Sequence, residues 1–83
     1  MGKRLPPRTR HQFAPMDAPQ ILDRFLDQAA LSGRSWVFVV HGHGTGALRN
    51  AVREHLRTSP YVAESTRGTR EQGGDAVTVA RLR

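Results

Sequence analysis

The stretch from His41 to Gly46 reads His-Gly-His-Gly-Thr-Gly. It follows a run of apolar residues and precedes an amphipathic segment. That order, strand then glycine-rich turn then helix start, collects anions. The first N–H groups of a helix have no partner inside it, and the helix dipole adds roughly half a positive charge there. Glycine brings the backbone close to a phosphate and allows positive φ. Gly42, Gly44 and Gly46 are therefore expected to form a phosphate-binding nest, with His43 and Thr45 between them. His41, where the strand ends, can donate to a phosphate oxygen or exchange protons near neutral pH. The competing use of such a histidine is a hydrogen bond to a backbone carbonyl. A His41–His43 metal site is weak, because no carboxylate lies within a few residues.

A second group lies near the C-terminus. Asp75 follows paired glycines, Gly73 and Gly74, at the start of a short apolar segment. It can orient a histidine, bind a metal, act as a base, or simply cap the turn. Arg49, Arg53 and Arg57 recur every four residues beside the glycine stretch, and Arg67 and Arg70 sit in a polar loop. Such a row is either a solvated helix flank or a stripe for backbone phosphates. His55, near the apolar face of the same segment, reads as a packed, hydrogen-bonded histidine.

Other phosphate and nucleophile motifs fit less well. Gly42, Gly44 and Ala47 satisfy G-x-G-x-x-G/A, and Glu64 stands at about the right distance for a ribose. The chain lacks the further strands a dinucleotide domain needs. A Walker loop fails because Ala47 and Leu48 occupy its Lys and Ser/Thr positions. Ser32, Ser35, Ser59 and Ser65 show no nucleophile-elbow context.

The elements that position these residues fit one small domain. In 83 residues the net charge is +6, from 13 basic against 7 acidic side chains, and all but one of the basic residues are arginine. Arginine is suited to bidentate phosphate contact, so a polyanionic partner is expected. With no cysteine there are no disulfides or thiolate metal sites. The longest apolar run, Trp36 to Val40, is too short to span a bilayer, and no secretory signal is visible. A cytoplasmic, nucleoid-associated protein is the expectation.

Residues 1–12 read as a basic arm, with a short edge strand near Arg8 to Phe13. The domain proper is expected over 13–83. The first helix opens at Asp17, with Gln20 completing a capping box and Met16–Ile21 a hydrophobic staple. It buries Ile21, Leu22, Phe25, Leu26 and Ala29, and Gly33 ends it. Trp36 to Val40 is a central strand, parallel to a neighbour. A second helix covers Gly46 to Thr58, with Thr45 as N-cap and Leu48, Ala51, Val52 and Leu56 inward. Short strands are expected over Tyr61 to Ser65 and Ala76 to Leu82, around a loop from Ser65 to Gly74. The result is a two-layer α/β sandwich, two helices on a mixed sheet.

These residues resemble the Smr (small MutS-related) domain. Val39 to Leu56 contains the family's H-G-x-G-x-G signature as His41, Gly42, Gly44 and Gly46, and Gly73 to Arg83 carries a late G-G-D-x-V-T. Asp23 to Gly33 resembles the family's first helix. The match is nearest to the C-terminal domain of bacterial MutS-like proteins that suppress recombination or rescue stalled ribosomes. The resemblance implies a fold like the C-terminal domain of translation initiation factor three. It implies binding to duplex or branched DNA, or to RNA at the ribosome, and in many members endonuclease activity stimulated by Mn²⁺ or Mg²⁺. It also implies a longer, ATPase-containing parent protein, with the first residues as a linker remnant. The signature loop is held to be part of the binding or catalytic site. The sequence departs from the family in one place. The L-D-x-x-G motif falls on Arg8 to Gln12, where Thr9 replaces the aspartate, Gln12 replaces the glycine, and His11 takes the fourth position. Cleavage is therefore expected to use His41, His11, Asp75 or a metal-bound water, or else to be lost with the aspartate, which would leave a non-catalytic binding module.

Overall fold

The structure is a computed structural model that describes residues 8–10, 14–44 and 46–83. Strand β1 (Arg8–Arg10) is followed by a 3-10 turn (Pro15–Asp17), helix α1 (Ala18–Leu31), strand β2 (Trp36–Val40) and helix α2 (Ala47–Thr58). Strand β3 (Val62–Arg67) and strand β4 (Val77–Leu82) follow, separated by two 3-10 turns, Arg70–Gln72 and Gly74–Ala76. The sheet order is β1-β2-β4-β3. β1 runs parallel to β2, whereas β4 is antiparallel to both β2 and β3. The mixed sheet and the central place of β2 agree with the sequence reading.

Alternation along the strands divides the sheet into two faces. Val37 and Val39 of β2 share one face with Thr78, Ala80 and Leu82 of β4, through the pairs Val37–Ala80 and Val39–Thr78. The two helices cover this face. Leu22, Leu26 and Ala29 from α1 and Val52 and Leu56 from α2 pack with Val37, Val39, Val62, Ala80 and Leu82 in one buried cluster. Phe25, Leu48, Ala51 and Tyr61 pack around it, half-buried. Burying a leucine or valine fully is worth about 1.5–3 kcal/mol, so this cluster carries most of the stability of so small a domain. The other sheet face holds Phe38 and Val40 with Val77, Val79 and the more exposed Trp36.

Polar contacts fasten the helices to each other and to the sheet. His55 Nε2 donates to Asp23 Oδ1 at 2.7 Å, linking α2 to α1 as the packed-histidine reading expected. The Tyr61 hydroxyl donates to Asp27 Oδ1 at 2.8 Å. This bond is the leading cause that raises the tyrosine's pKa above its ordinary value.

Helix ends follow the expected logic at one terminus and not at the other. Gly33, at φ +73, closes α1 with two bonds: its own N–H reaches the Ala30 carbonyl, and the Arg34 N–H reaches the Ala29 carbonyl. That pair is a Schellman motif. Asp17 does occupy the N-cap of α1 but makes no side-chain cap bond, so the Asp17–Gln20 capping box does not form. The preceding 3-10 turn already holds Asp17 in a helical conformation, φ −90 and ψ −8, where a cap residue would be extended. Met16 is 83% exposed, so the expected staple with Ile21 is not made either. The third strand runs to Arg67 rather than Ser65, because pairing with β4 continues through Thr66–Val79 and Arg67–Thr78.

Candidate functional site

β2 delivers His41 to the carboxyl end of the sheet, one residue after Val40. β1 ends level with it, since Arg10 pairs with Val40. The three glycines then take φ +77 (Gly42), +44 (Gly44) and +91 (Gly46), all in the left-handed region that a side chain disfavours. The tightest case is Gly46, the buried N-cap of α2. A Cβ there would lie 2.9 Å from a terminal nitrogen of Arg49. Glycine therefore lets the Arg49 guanidinium fold back across the first turn of its own helix.

The second motif docks directly against the first. The N–H groups of His41 and Gly42 both donate to the Ala76 carbonyl at 3.0 Å. Gly42 is thus spent on the fold, and its N–H is not offered to a ligand. Gly44 and Gly46 keep N–H groups that take no partner among the described residues. They sit at the positive end of α2, where an anion is favoured. His43 is exposed beside them.

The ring of His41 is half-buried and bonded at both nitrogens. Nδ1 lies 2.9 Å from the Gly42 carbonyl and Nε2 lies 2.9 Å from Thr78 Oγ1. A carbonyl only accepts, so Nδ1 carries the proton. Nε2 of the neutral ring then accepts from the Thr78 hydroxyl. The same hydroxyl accepts from Arg53 Nε at 3.1 Å. The bonds therefore run in one direction, Arg53 to Thr78 to His41 to Gly42. Burial is the main cause that lowers the His41 pKa below the ordinary value. Arg53 and Arg49 add to it, and the Gly42 bond and Asp75 oppose it.

Asp75 does not touch His41. Its two oxygens hold Arg49, at 2.5 Å, and Arg53, at 3.1 Å. The hydrogen bond from Arg53 is the leading cause that keeps its carboxyl below the usual range, and Arg49 adds to it. Its contacts are with two guanidiniums, a use the sequence reading of Asp75 did not name. It positions two guanidiniums, one of which positions Thr78. Thr78, 1% exposed, escaped the sequence reading. The available signal was its place in the alternation of β4, level with Val39 and one residue from Val77 on the opposite face.

Arg67 ends β3, and Arg70 lies exposed in the following turn. His11 and Thr45 lie outside the described residues. Glu64 faces Arg81 on the outer strand, with β4 between it and β2, so it is not placed to meet a ribose at the glycine loop.

The sign of the pH dependence follows from these contacts. An unfolded histidine, with a pKa of about 6.5, takes up a proton more readily than folded His41. The ring's contribution to stability is complete above that value and is lost as pH falls through the folded pKa. Asp75, depressed below an unfolded value of about 3.9, acts with the same sign further into acid. An NMR titration of the His41 ring should give a midpoint below 6.5, and a midpoint above it would contradict the Thr78–His41 bonding.

Comparison with known proteins places this arrangement. The model of the Smr domain matches residues 11–83. An endonuclease MutS2 of Anaeromyxobacter sp. (strain Fw109-5) is 52% identical over 62 residues, covering 75% of this chain and 8% of that protein. The endonuclease MutS2 of Staphylococcus carnosus (strain TM300) is 46% identical over 67 residues, covering 81% of this chain and 9% of its own length. The chain thus spans less than a tenth of these curated relatives. The crystal structure of the Smr domain of Thermus thermophilus MutS2 superposes with a TM-score of 0.84 at 34% identity, covering 95% of this chain and 99% of that one. YdaL, a stand-alone small MutS-related protein from Escherichia coli, shares the fold with a TM-score of 0.76 at 21% identity, over 84% of this chain and 58% of that one. The glycine loop and its docked Gly-Gly-Asp turn thus stand in a chain that belongs to the Smr domain family.

Proposed function

We propose that this domain binds nucleic acid through its phosphates at the glycine loop and nicks DNA there, by structure rather than by sequence. The observation that carries the reading is one cluster. The N–H groups of Gly44 and Gly46, which take no partner among the described residues, lie at the start of α2, beside His41 and two arginines fixed by Asp75. A scissile phosphate seated on those N–H groups would gain negative charge during attack, and fixed donors and guanidiniums would meet that charge. His41 would exchange the proton at Nε2, its one lone-pair nitrogen, with Thr78 relaying the proton or yielding its place. The names of the relatives, endonuclease MutS2, support the reaction class.

The described residues at this site do not fit a divalent cation. Both oxygens of Asp75 are taken by arginines and both nitrogens of His41 are bonded. Among the described residues no three of His, Asp and Glu form a group that could hold a metal. Mn²⁺ or Mg²⁺ acting here would have to arrive with the substrate's own phosphates. Duplex or branched DNA in the cytoplasm, at the nucleoid, is the partner proposed. Among the described residues no helix is long and apolar enough to cross a membrane.

A second reading, a binding module without turnover, is favoured by Thr9 at the position of the family's aspartate and by the full engagement of His41. Supercoiled plasmid and a single-stranded RNA, each with EDTA, Mg²⁺ or Mn²⁺, separate the two. Nicked plasmid is the expected product. Cleavage confined to RNA would replace DNA with an RNA substrate, where the 2′-OH can attack. Gel shift without any cut strand would leave the binding module.

A further inference from the structure

We propose that the groove between α2 and β3 is a second phosphate subsite, which takes an internal phosphodiester of the nucleic acid held at the glycine loop. The inference rests on the nucleic-acid reading above. The groove has a volume of about 210 Å³ and is lined by Arg53, Arg57, Ser65, Thr66, Arg67 and Thr78. Three arginines line it, Ser65 and Arg67 stand on the helix-covered face of β3, and no carboxylate is among the lining residues. A water occupies about 30 Å³ of liquid, so the groove admits a group several times that size.

The arginines differ in how far the protein already uses them. Arg53 spends Nε on Thr78 and one terminal nitrogen on Asp75, which leaves its other terminal nitrogen without a partner among the described residues. Arg57 pairs with Glu54, but both side chains are about two-thirds exposed. Such a surface pair is worth little and yields readily to a better anion. The guanidinium of Arg67 has no hydrogen bond or ion pair among the described residues. A cation without a counter-charge, beside the Ser65 hydroxyl, is suited to a phosphate oxygen.

Position links the groove to the loop. Arg53 serves both places, holding Thr78 under His41 while lining the groove. Arg49 and Arg57 are eight residues apart on α2, about 12 Å along the axis at 1.5 Å per residue. One phosphate group cannot bridge that distance, whereas a strand can. The loop would hold one phosphate and the groove another further along the same strand.

The test is salt-dependent binding, which needs no turnover. Fluorescence anisotropy of a labelled DNA duplex is measured over a range of salt for wild type, for Arg57→Gln/Arg67→Gln, and for Arg24→Gln/Arg83→Gln. The last removes two exposed charges outside the groove. Each lost phosphate contact lowers the slope of log K against log salt by about 0.9 for duplex DNA. The groove variant should lose about one unit of slope and the control variant much less. Equal losses in the two variants would mean diffuse charge and overturn the subsite. A wild type that binds no nucleic acid would remove the underlying reading with it. A deficit seen only with 5′-phosphorylated strands, and not with 5′-hydroxyl strands, would assign the groove to a strand end and overturn the internal phosphate. Urea midpoints for all three proteins establish that each is folded.

Discussion

His41→Ala is expected to lower nicking by on the order of 10²–10⁴-fold, the usual contribution of a positioned acid or base. The ring is the half-buried imidazole of the glycine loop, bonded at both nitrogens, and burial favours its neutral state. The folding cost should be small by comparison. Alanine removes two neutral hydrogen bonds, each worth about 0.5–1.5 kcal/mol net, and Thr78 keeps its bond from Arg53. Thr78→Val sharpens the test because it preserves the shape of a buried side chain and leaves the imidazole in place. It should lower the rate less than alanine at position 41 and shift its pH profile, since Nε2 then loses its fixed partner. Single-turnover nicking beside urea midpoints reads both effects. An alanine variant that nicks within threefold of wild type would remove His41 from the chemistry and leave it a structural clasp.

The largest stability effect should come from Leu56→Ala, a loss of about 2–5 kcal/mol. Leu56 is fully buried where α2 meets the sheet, in the cluster with Leu22, Leu26, Val37 and Val39. A domain of this size has a total stability of roughly 4–12 kcal/mol, at about 0.05–0.15 kcal/mol per residue. The substitution therefore consumes a large share of it. At about 4–8 °C for each kcal/mol, the melting temperature should drop by at least about 8 °C. A drop of only one or two degrees would mean that α2 is not packed as described.

What could be read from the sequence depended on how local its cause was. The inward face of α1 follows from spacing alone, and Leu22, Leu26 and Ala29 are buried. Gly33 announces a left-handed closure that any chain would make there. Gly42, Gly44 and Gly46 take positive φ for the same local reason. Failures arose where a distant partner or a preceding turn decided. Asp17 has the right chemistry for a cap, but the 3-10 turn before it fixed its backbone first. β3 runs past Ser65 because β4 offers pairing partners up to Arg67. Asp75 was open to several roles, and only the meeting of β4 with α2 shows that it grips Arg49 and Arg53. Thr78 carried no motif weight at all, since a threonine in a strand is ordinary until something bonds to its hydroxyl.

The docking of the Gly-Gly-Asp turn on the signature loop has a consequence for quality control. His41 follows the end of β2, its arginines come from α2, Asp75 from the turn before β4, and Thr78 from β4 itself. His41 and Thr78 are 37 residues apart in the chain. No shorter fragment contains the set, and β2 must lie against β4 before any two of the motifs meet. The site is therefore a property of the finished sheet. Local opening of β4 dismantles the histidine's partner, the arginine clamp and the Ala76 carbonyl in one event. A half-folded copy keeps the chain's positive charge but holds no assembled centre, so on the function proposed above the domain would be silent until it is whole.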